Sequence, residues 1–265
     1  MAAFIAREPP PRLRGLITRL WYGADAGSAG GELKLPALDH QLLINLDADR
    51  LTYREGHTGA RAPSGVGLAV VTQRAVELDR AEQRRIAGAV LAPGAIPLLF
   101  GVPAAALSEP LVDATEFCGP DAGELRERCL DVTDADGVLA LLADFLTPAA
   151  SVDADAGLIA ALRLLAAGRP VADVAERIGR SESGLLRAFH HGVGPTPKRA
   201  QRLLRLRRTV RAVRAGTDMA SVAHVLGYAD QAHLTHDFVD LTGLTPGTYR
   251  RGFGPAPMHV PLPTG

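Results

Sequence analysis

The strongest candidates for chemistry in this sequence of 265 residues are eight basic side chains between residues 196 and 216, a stretch with no acidic residue. The whole chain has 29 basic and 29 acidic side chains, so its formal net charge is zero. Residues 156–253 hold 15 Arg and Lys against 7 Asp and Glu, which leaves 14 against 22 in residues 1–155. This asymmetry predicts a C-terminal module that binds a polyanion, joined to an N-terminal region with another task.

Paired histidines are the next candidates. His233 and His236 stand three residues apart and His190 and His191 are adjacent, but no cysteine lies near either pair, so we predict no metal site. The N-terminal half has two histidines, too few for the three ligands of a cupin-type dioxygenase. The sequence contains no nucleophile elbow, phosphate loop or dinucleotide fingerprint. We therefore predict neither an enzyme nor a bound cofactor.

The two cysteines, Cys118 and Cys129, are too few for a disulfide framework or a four-cysteine zinc site. They are either inert buried thiols, which we favour, or a redox switch. No apolar run reaches the roughly 18 residues of a membrane span, and the first residues do not read as a secretion signal. These features predict a cytoplasmic protein.

A sequence repeat indicates the elements that must position the basic residues. Residues 171–197 and 219–246 follow one pattern: a short helix ends at a glycine, a turn follows, and a second helix places Leu and Phe four residues apart. This pattern predicts a helix-turn-helix in each copy. A tetratricopeptide-like array would need three or more copies at a shorter period. The matching positions are Val174, Ala175, Ile178, Gly179, Leu185, Phe189, Gly194, Thr196 and Pro197 in the first copy and Val222, Ala223, Leu226, Gly227, Leu234, Phe238, Gly243, Thr245 and Pro246 in the second.

The basic stretch connects the two copies and is predicted to be one helix. Thr196 suits its N-cap, Pro197 its first position, and Gly216 the residue just past its end. Twenty residues at about 1.5 Å each span roughly 30 Å, close to the ~34 Å repeat of B-DNA. Such a helix would place two recognition helices in successive major grooves, with its own basic side chains near the phosphates.

An amphipathic membrane-surface helix is the competing interpretation of this stretch. Four apolar residues share one face of the helix, but arginines project into the same arc, which a membrane helix would keep apolar. We therefore predict no membrane partner. The apolar residues are Leu203, Leu206, Val210 and Val213, and the interrupting arginines are Arg199, Arg207 and Arg214.

The N-terminal half has a different pattern, and the fold class predicted for the chain is mixed. Residues 41–56, 65–71 and 86–94 read as strands, whereas residues 123–130 and 137–146 have helical periodicity. We expect a strand-rich α/β N-terminal domain, followed by an all-α domain with two helix-turn-helix motifs joined by a long basic helix. Residues 147–157 are the predicted linker, and the Pro- and Gly-rich last twelve residues are the predicted loose tail.

Two motifs carry a resemblance to a known family. Residues 243–250 have the form G-x-T-P-x-x-Y-R, and residues 223–238 read A-x-x-L-G-Y-A-D-Q-A-H-L followed by D-F. Residues 155–252 thereby resemble the DNA-binding module of the AraC/XylS transcriptional regulators. Residues 91–107 are similar to the sensor-like domains that precede this module. In the family those domains bind small effectors or mediate dimerisation, often on a cupin-like β-barrel.

The resemblance implies that residues 182–190, capped by Ser181, form the first recognition helix, with Leu185 and Phe189 facing inward. Arg187 is the sharpest candidate for reading a base, since an arginine can bind guanine O6 and N7 together, with a solvated or phosphate-binding arginine as the alternative. The DNA-facing candidates of this helix are Ser183, Gly184, Leu186, Arg187 and His190.

By the same resemblance, residues 231–241 form the second recognition helix. Gln231 suits adenine and Ala232 a thymine methyl group. His236 stands where an arginine is frequent in the family, so we expect the first copy and the linking helix to supply most of the electrostatic affinity. The DNA-facing candidates here are Gln231, Ala232, His233, Thr235 and His236, and those for the DNA backbone are Lys198, Arg202, Arg205 and Arg208.

The sequence thus predicts a transcription factor with a regulatory domain over residues 1–148, a DNA-binding domain over 149–253 and a flexible tail over 254–265. Its expected partners are double-stranded DNA, a small-molecule effector, RNA polymerase and a second copy of the chain. The alternative is a regulator without an effector, whose N-terminal half is only an interaction surface. Four residues could line an effector pocket, but for each of them we favour an ordinary packing or surface role, and no ligand contact is assigned. They are Trp21, Tyr22, His40 and Glu55.

Overall fold

The computed structural model describes residues 3–24, 30–55, 58–147, 155–254 and 256–262. Its N-terminal region is strand-rich, and the strands predicted at 41–56, 65–71 and 86–94 are confirmed, as are the two helices after them. The strands are β1 (Ala3–Arg7), β2 (Ile17–Ala24), β3 (Gly31–Lys34), β4 (Gln41–Asn45), β5 (Leu51–Glu55), β6 (Thr58–Ala62), β7 (Val66–Ala69), β8 (Val76–Asp79), β9 (Arg85–Leu91) and β10 (Leu111–Asp113). The helices are α1 (Ala95–Phe100), α2 (Thr115–Cys118), α3 (Asp121–Leu130) and α4 (Ala135–Leu146).

The strands form two antiparallel sheets. One has the order β1-β2-β9-β4-β7-β10, and the other contains β3-β8-β5-β6 with a further strand beside β3. In β4, Leu42 and Ile44 belong to a core shared with α3 and α4, whereas Leu43 belongs to a core shared with β5 and β8. Because side chains of a strand alternate between its faces, the six-stranded sheet is the middle layer between the helices and the second sheet. This explains why β4 is apolar on both faces.

The C-terminal region is helical, as predicted, and contains both helix-turn-helix motifs. α6 and α7 form the first motif, and α9 and α10 form the second. Gly179 and Gly227 end the first helix of each motif with φ of +68° and +72°, a conformation that a side chain disfavours. The helices are α5 (Ala156–Ala166), α6 (Val171–Arg177), α7 (Glu182–Gly192), α8 (Pro197–Arg214), α9 (Met219–Val225), α10 (Gln231–Thr242) and α11 (Pro246–Gly252), and the last strand is β11 (His259–Pro261).

The long helix α8 joins the two motifs and belongs to the core of both. Thr196 caps it by accepting a hydrogen bond from the Arg199 amide, and Pro197 occupies its first turn. Its buried face packs against Phe238 and Leu241 of the second motif and Tyr249 of α11, while Ala200 packs in the core of the first motif. The 18 residues of α8 give a length of about 27 Å. The apolar residues predicted on its inner face, Leu203, Leu206, Val210 and Val213, are all buried.

The N-terminal and C-terminal regions pack directly on each other. Leu33 and Leu35, at the end of β3, share an apolar core with α8, α10 and α11. At another point the Gly94 amide donates to the Gly192 carbonyl at 2.8 Å. A Cβ on Gly192 would lie 2.7 Å from Leu158 and 3.1 Å from the Gly94 Cα, so this approach requires glycine. The first helix-turn-helix therefore packs against the N-terminal region.

The tail expected to be loose is ordered over residues 256–262. Its strand β11 pairs with β3, with Val260 opposite Leu33. The Leu35 amide donates to the Met258 carbonyl at 2.7 Å, and Val260 is 5% exposed within the core around α8. The prediction of a loose segment is therefore wrong for these residues, because a sheet edge far away in sequence satisfies their backbone groups. The predicted linker falls mainly on residues 148–154, which lie outside the described residues. None of the helices that the structure describes is long and apolar enough to cross a membrane.

Candidate nucleic-acid interface

The first recognition helix, α7, presents the face that the sequence predicted. Ser181 caps it by accepting a hydrogen bond from the Gly184 amide, and Leu185 and Phe189 are fully buried. Arg187 is exposed and makes no hydrogen bond or ion pair with the described part of the chain, so its guanidinium is available to a base or a phosphate. The other outward candidates are Ser183, Leu186 and His190, which are exposed, and Gly184, which is half-buried.

The second recognition helix, α10, has a more restricted outer face. Asp230 caps it by accepting from the His233 amide at 2.7 Å. The His233 ring accepts a hydrogen bond from the Ala229 amide at its Nδ1 atom and lies edge-on to Tyr228, so its orientation is fixed by the turn. The Thr235 hydroxyl donates to the Gln231 carbonyl. Gln231, Ala232, His233 and His236 are exposed and Thr235 is half-buried.

Three of the basic residues of helix α8 have partners inside the domain. Arg202 is held by two carboxylates of α10, with its Nε 2.5 Å from Asp237 and one Nη 2.6 Å from Asp240. The Arg205 guanidinium lies 4.5 Å from the centre of the Tyr228 ring. Arg208 donates to the Ala166 carbonyl at the end of α5.

The four residues predicted to bind the DNA backbone differ in exposure and in partners. Arg202, Arg205 and Arg208 are half-buried and have partners inside the domain, whereas Lys198 is exposed. Arg207 and Arg211 of the same helix are also exposed. Arg202 already has carboxylate partners, and a cation paired in this way gains less from a phosphate.

Sequence reasoning missed the role of the acidic residues of α10. Asp237 is 6% exposed and accepts from Arg202 and from the Tyr228 hydroxyl, which lies 3.0 Å away. Burial raises the pKa of Tyr228 to about 12, so its hydroxyl stays protonated as the donor. The Arg202 hydrogen bond lowers the pKa of Asp240. These contacts fix the second recognition helix against α8. The signal in the sequence was the pair of acidic residues three apart on the helix that faces the basic one.

An open cleft, here called the interdomain cleft, lies between the N-terminal region and the first helix-turn-helix. Its volume is about 610 Å³, and His40 and Glu55 line it together with residues 70–74, parts of 104–110, residues 193–195 and Arg199. Of the four residues considered for an effector pocket, His40 and Glu55 line this cleft. Trp21 and Tyr22 are not in this lining. Trp21 donates to Gln41 and packs between the sheets, and Tyr22 packs against the core beneath the helices.

The cysteines and histidines within the described ranges provide no second site. Cys118 is half-buried and Cys129 is buried, and burial raises the pKa of both thiols, that of Cys129 to about 11. Thiols with raised pKa values are poor nucleophiles at neutral pH, which favours structural roles. Among the described residues, no group of three or more His, Cys, Asp or Glu side chains could hold a metal ion.

Comparison with known proteins agrees with the geometry of the C-terminal region. Residues 174–252 match the family described as "Helix-turn-helix domain". The resemblance found in the sequence is confirmed over these residues, which form an AraC-type helix-turn-helix domain and hence a DNA-binding domain. No curated protein matches the chain.

Three solved structures align with this chain at low identity. ToxT from Vibrio cholerae is 11% identical, over 94% of this chain and 98% of that one, with a TM-score of 0.48. A second ToxT structure is 10% identical, over 94% and 97%, with a TM-score of 0.47. The C-terminal domain of AraT, a response regulator from Geobacillus stearothermophilus, is 18% identical over 37% of this chain and 85% of its own, with a TM-score of 0.35. Similarity at this level carries no inference about function.

Proposed function

We propose that this protein is a sequence-specific transcriptional regulator that binds DNA with α7 and α10 in successive major grooves. The observation that supports this is the placement of two capped recognition helices, both with exposed polar faces, on the single helix α8. A helix of about 27 Å keeps its two ends less than one turn of B-DNA apart, so the operator should contain two contact regions about 10 base pairs apart.

The test is binding of the full chain to the DNA upstream of its own gene and of neighbouring genes, measured over a salt series against scrambled DNA. We expect specific binding that survives competitor DNA and weakens steeply with salt, because released counterions drive phosphate binding. Equal, weak binding to all of these sequences would contradict the assignment at these promoters. DNA from the rest of the genome, selected by binding to the protein, would then decide whether any operator exists.

Within this function, Arg187 is proposed to read a base. Replacing it, as Arg187→Gln, should reduce specific binding about tenfold or more and relax preference at one base pair, because a bidentate contact to guanine is worth ~1–3 kcal/mol. Arg19→Gln is the matched control, since Arg19 is an exposed arginine on β2 of the N-terminal region and belongs to neither recognition helix. A uniform loss across specific and scrambled DNA, with a smaller salt dependence, would instead identify Arg187 as a phosphate contact.

We propose further that a small molecule regulates the protein, and that the protein acts in the cytoplasm. The interdomain cleft supports a ligand, since its volume of about 610 Å³ falls in the range of small-molecule sites. RNA polymerase and a second copy of the chain are proposed partners by the family resemblance alone. The rival is a regulator whose N-terminal region is only an interaction surface, and no small molecule would then raise the melting temperature of the full chain.

A further inference from the structure

The two helix-turn-helix motifs differ in charge. Residues 171–197 hold three arginines and three acidic residues, whereas residues 219–246 hold three aspartates and neither arginine nor lysine. With neutral histidines, the formal charge of the first motif is 0 and that of the second is −3. Because a DNA duplex carries one negative charge per about 1.7 Å of its axis, it repels the second motif more than the first. The three histidines of the second motif are the side chains that can offset this repulsion by taking up a proton.

The three aspartates of the second motif have structural roles, so their negative charge stays in place. Asp230 caps α10. Asp237 is 6% exposed and accepts hydrogen bonds from Arg202 and from the Tyr228 hydroxyl. Asp240 also binds Arg202, and this hydrogen bond lowers its pKa. Near neutral pH, the charge of the outer face of α10 therefore depends on its histidines.

His233 is the poorer candidate for taking up a proton. Its Nδ1 accepts a hydrogen bond from the Ala229 amide at 3.3 Å, so the proton of the neutral ring lies on Nε2. A second proton, on Nδ1, would cost this hydrogen bond. The ring is also held edge-on to Tyr228, with 5.3 Å between the ring centres. His233 thus presents a fixed, neutral donor at Nε2.

His236 has no such constraint. It is exposed on α10 and makes no hydrogen bond or ion pair with the part of the chain that the structure describes. Its charged neighbour on the same helix is Asp240, four positions further on. Histidine is the side chain whose charge ordinarily changes between pH 5 and 8. A proton on His236 would therefore place a positive charge on the outer face of the second recognition helix.

Asp240 is already occupied by cations from other elements. From α8, Arg202 binds it at 2.6 Å and Arg199 interacts with it electrostatically, and Arg74, after β7, lies 3.5 Å from it. A protonated His236 thus competes with these cations for Asp240 and stays available to a phosphate. The helices α9 and α11, which also pack against α10, carry their own ionisable groups in their last turns: His224, Arg250 and Arg251.

We propose that proton uptake by His236 controls how the second helix-turn-helix engages DNA, so that affinity for the operator rises as pH falls from 8 to 6. This inference rests on the proposed function and adds its regulation. The protonated imidazole donates to a phosphate oxygen, and this charged contact holds the proton more tightly than water does. Because the DNA-bound form then carries more protons than the free form, lower pH favours binding. Burial lowers the pKa of His40 to about 4, so His40 is neutral throughout this range and does not contribute.

The test measures binding of the full chain to one duplex at pH 6.0 and pH 8.0 over a salt series. The duplex is the genomic fragment that the full chain binds most tightly at pH 7. At equal salt, affinity should be about fivefold or more higher at pH 6.0. The slope of log K against log salt concentration should also be steeper by about 0.9 at pH 6.0, because one more phosphate is neutralised. Equal affinities and equal slopes at the two pH values overturn the inference and leave the regulator assignment intact. Absence of DNA binding at both pH values contradicts the proposed function and this inference with it.

Three variants assign the effect to one side chain. His236→Gln cannot carry a charge and should lose both the rise in affinity at pH 6.0 and the steeper slope. His236→Arg has a fixed positive charge and should bind tightly at both pH values. His224→Gln is the matched control, since His224 is an exposed histidine of the same motif outside the recognition helix, and it should keep the full pH response.

Folding of the variants is checked separately. All replaced positions are exposed, so thermal denaturation at each pH should show melting temperatures close to that of the unaltered protein. A pH response that persists in His236→Gln, or in His236→Arg, overturns the assignment to His236.

Discussion

At the scale of single residues, the structure gives Arg202 a role that the sequence does not indicate. In the sequence, Arg202 is one of eight basic residues in a stretch without acids, and nothing local distinguishes it from Arg207. In the structure it is held by Asp237 and Asp240, which lie 35 and 38 positions further along the chain. Helical periodicity correctly predicts which apolar residues face inward, since that depends on local geometry. It does not predict which cation meets a carboxylate, because that depends on how two helices are packed.

The two interpretations of Arg202 predict different outcomes for Arg202→Met. If Arg202 is a structural partner, its replacement leaves Asp237, which is 6% exposed, without its cation. The free energy of unfolding should then fall by about 2–3 kcal/mol, a value discounted because Arg202 is partly exposed. If Arg202 is instead a phosphate contact, its replacement would reduce the slope of log K for DNA binding against log salt concentration by about 1 and leave stability unchanged. Urea denaturation distinguishes the two. Lys198→Met, at an exposed position, should give the second result.

At the scale of elements, helices were predicted better than strands. The recognition helices begin directly after Ser181 and Asp230 because each of these side chains caps a helix, and residue types that cap helices are visible in the sequence. Strands β3, β8 and β11 are three or four residues long. Their alternation of apolar and polar residues is too short to distinguish them from loops. Their pairing depends on partners distant in sequence, so neither the second sheet nor the place of the tail could be derived from local pattern.

Helix α5 carries a pH-dependent contact of the DNA-binding domain. Asp155 caps it and pairs with Arg180 in the turn of the first motif at 2.9 Å. Burial alone would raise the pKa of Asp155, but Arg180 and the Leu158 amide outweigh it, and the folded pKa is lowered. The stabilisation is therefore complete above the unfolded value of about 3.9 and is lost as pH falls through the folded pKa.

Asp155→Asn tests this contact. The variant should be less stable than the unaltered protein at pH 6, and the difference should shrink as pH is lowered below about 4, where the carboxyl group becomes protonated. Urea denaturation at several pH values measures it. Asp131→Asn is the control, since its side chain makes no hydrogen bond or ion pair within the described residues. A difference that does not change with pH would show that the charge of Asp155 does not contribute.

At the scale of the whole molecule, the two regions are joined by packing and by the C-terminal segment. Residues 256–262 follow α11 in the chain. The Tyr249 hydroxyl donates to the Pro257 carbonyl, and β11 pairs with β3. Val260 lies in the core formed by Leu33, Leu206 and Phe238. The second helix-turn-helix thus shares a core with the N-terminal sheet, and Gly192 joins the first to the N-terminal region.

Val260→Ala tests this connection. Removing two buried methyl groups should lower the free energy of unfolding by about 1–2 kcal/mol and increase cleavage by protease in the segment after α11. Pro261→Ala, at an exposed position in the same strand, should leave both measurements nearly unchanged. Equal behaviour of the two variants would mean that this strand does not hold the regions together.

The pairing of β11 with β3 also determines when folding of the second sheet can be completed during synthesis. More than 200 residues separate these strands in the chain, so at about 5–20 residues per second a ribosome makes β11 about ten seconds or more after β3. During that time the edge of β3 is open, and Leu33 and Leu35 lack the helices that cover them. The nascent chain therefore exposes a short apolar strand edge until its DNA-binding domain emerges, and that interval is when a chaperone would be needed.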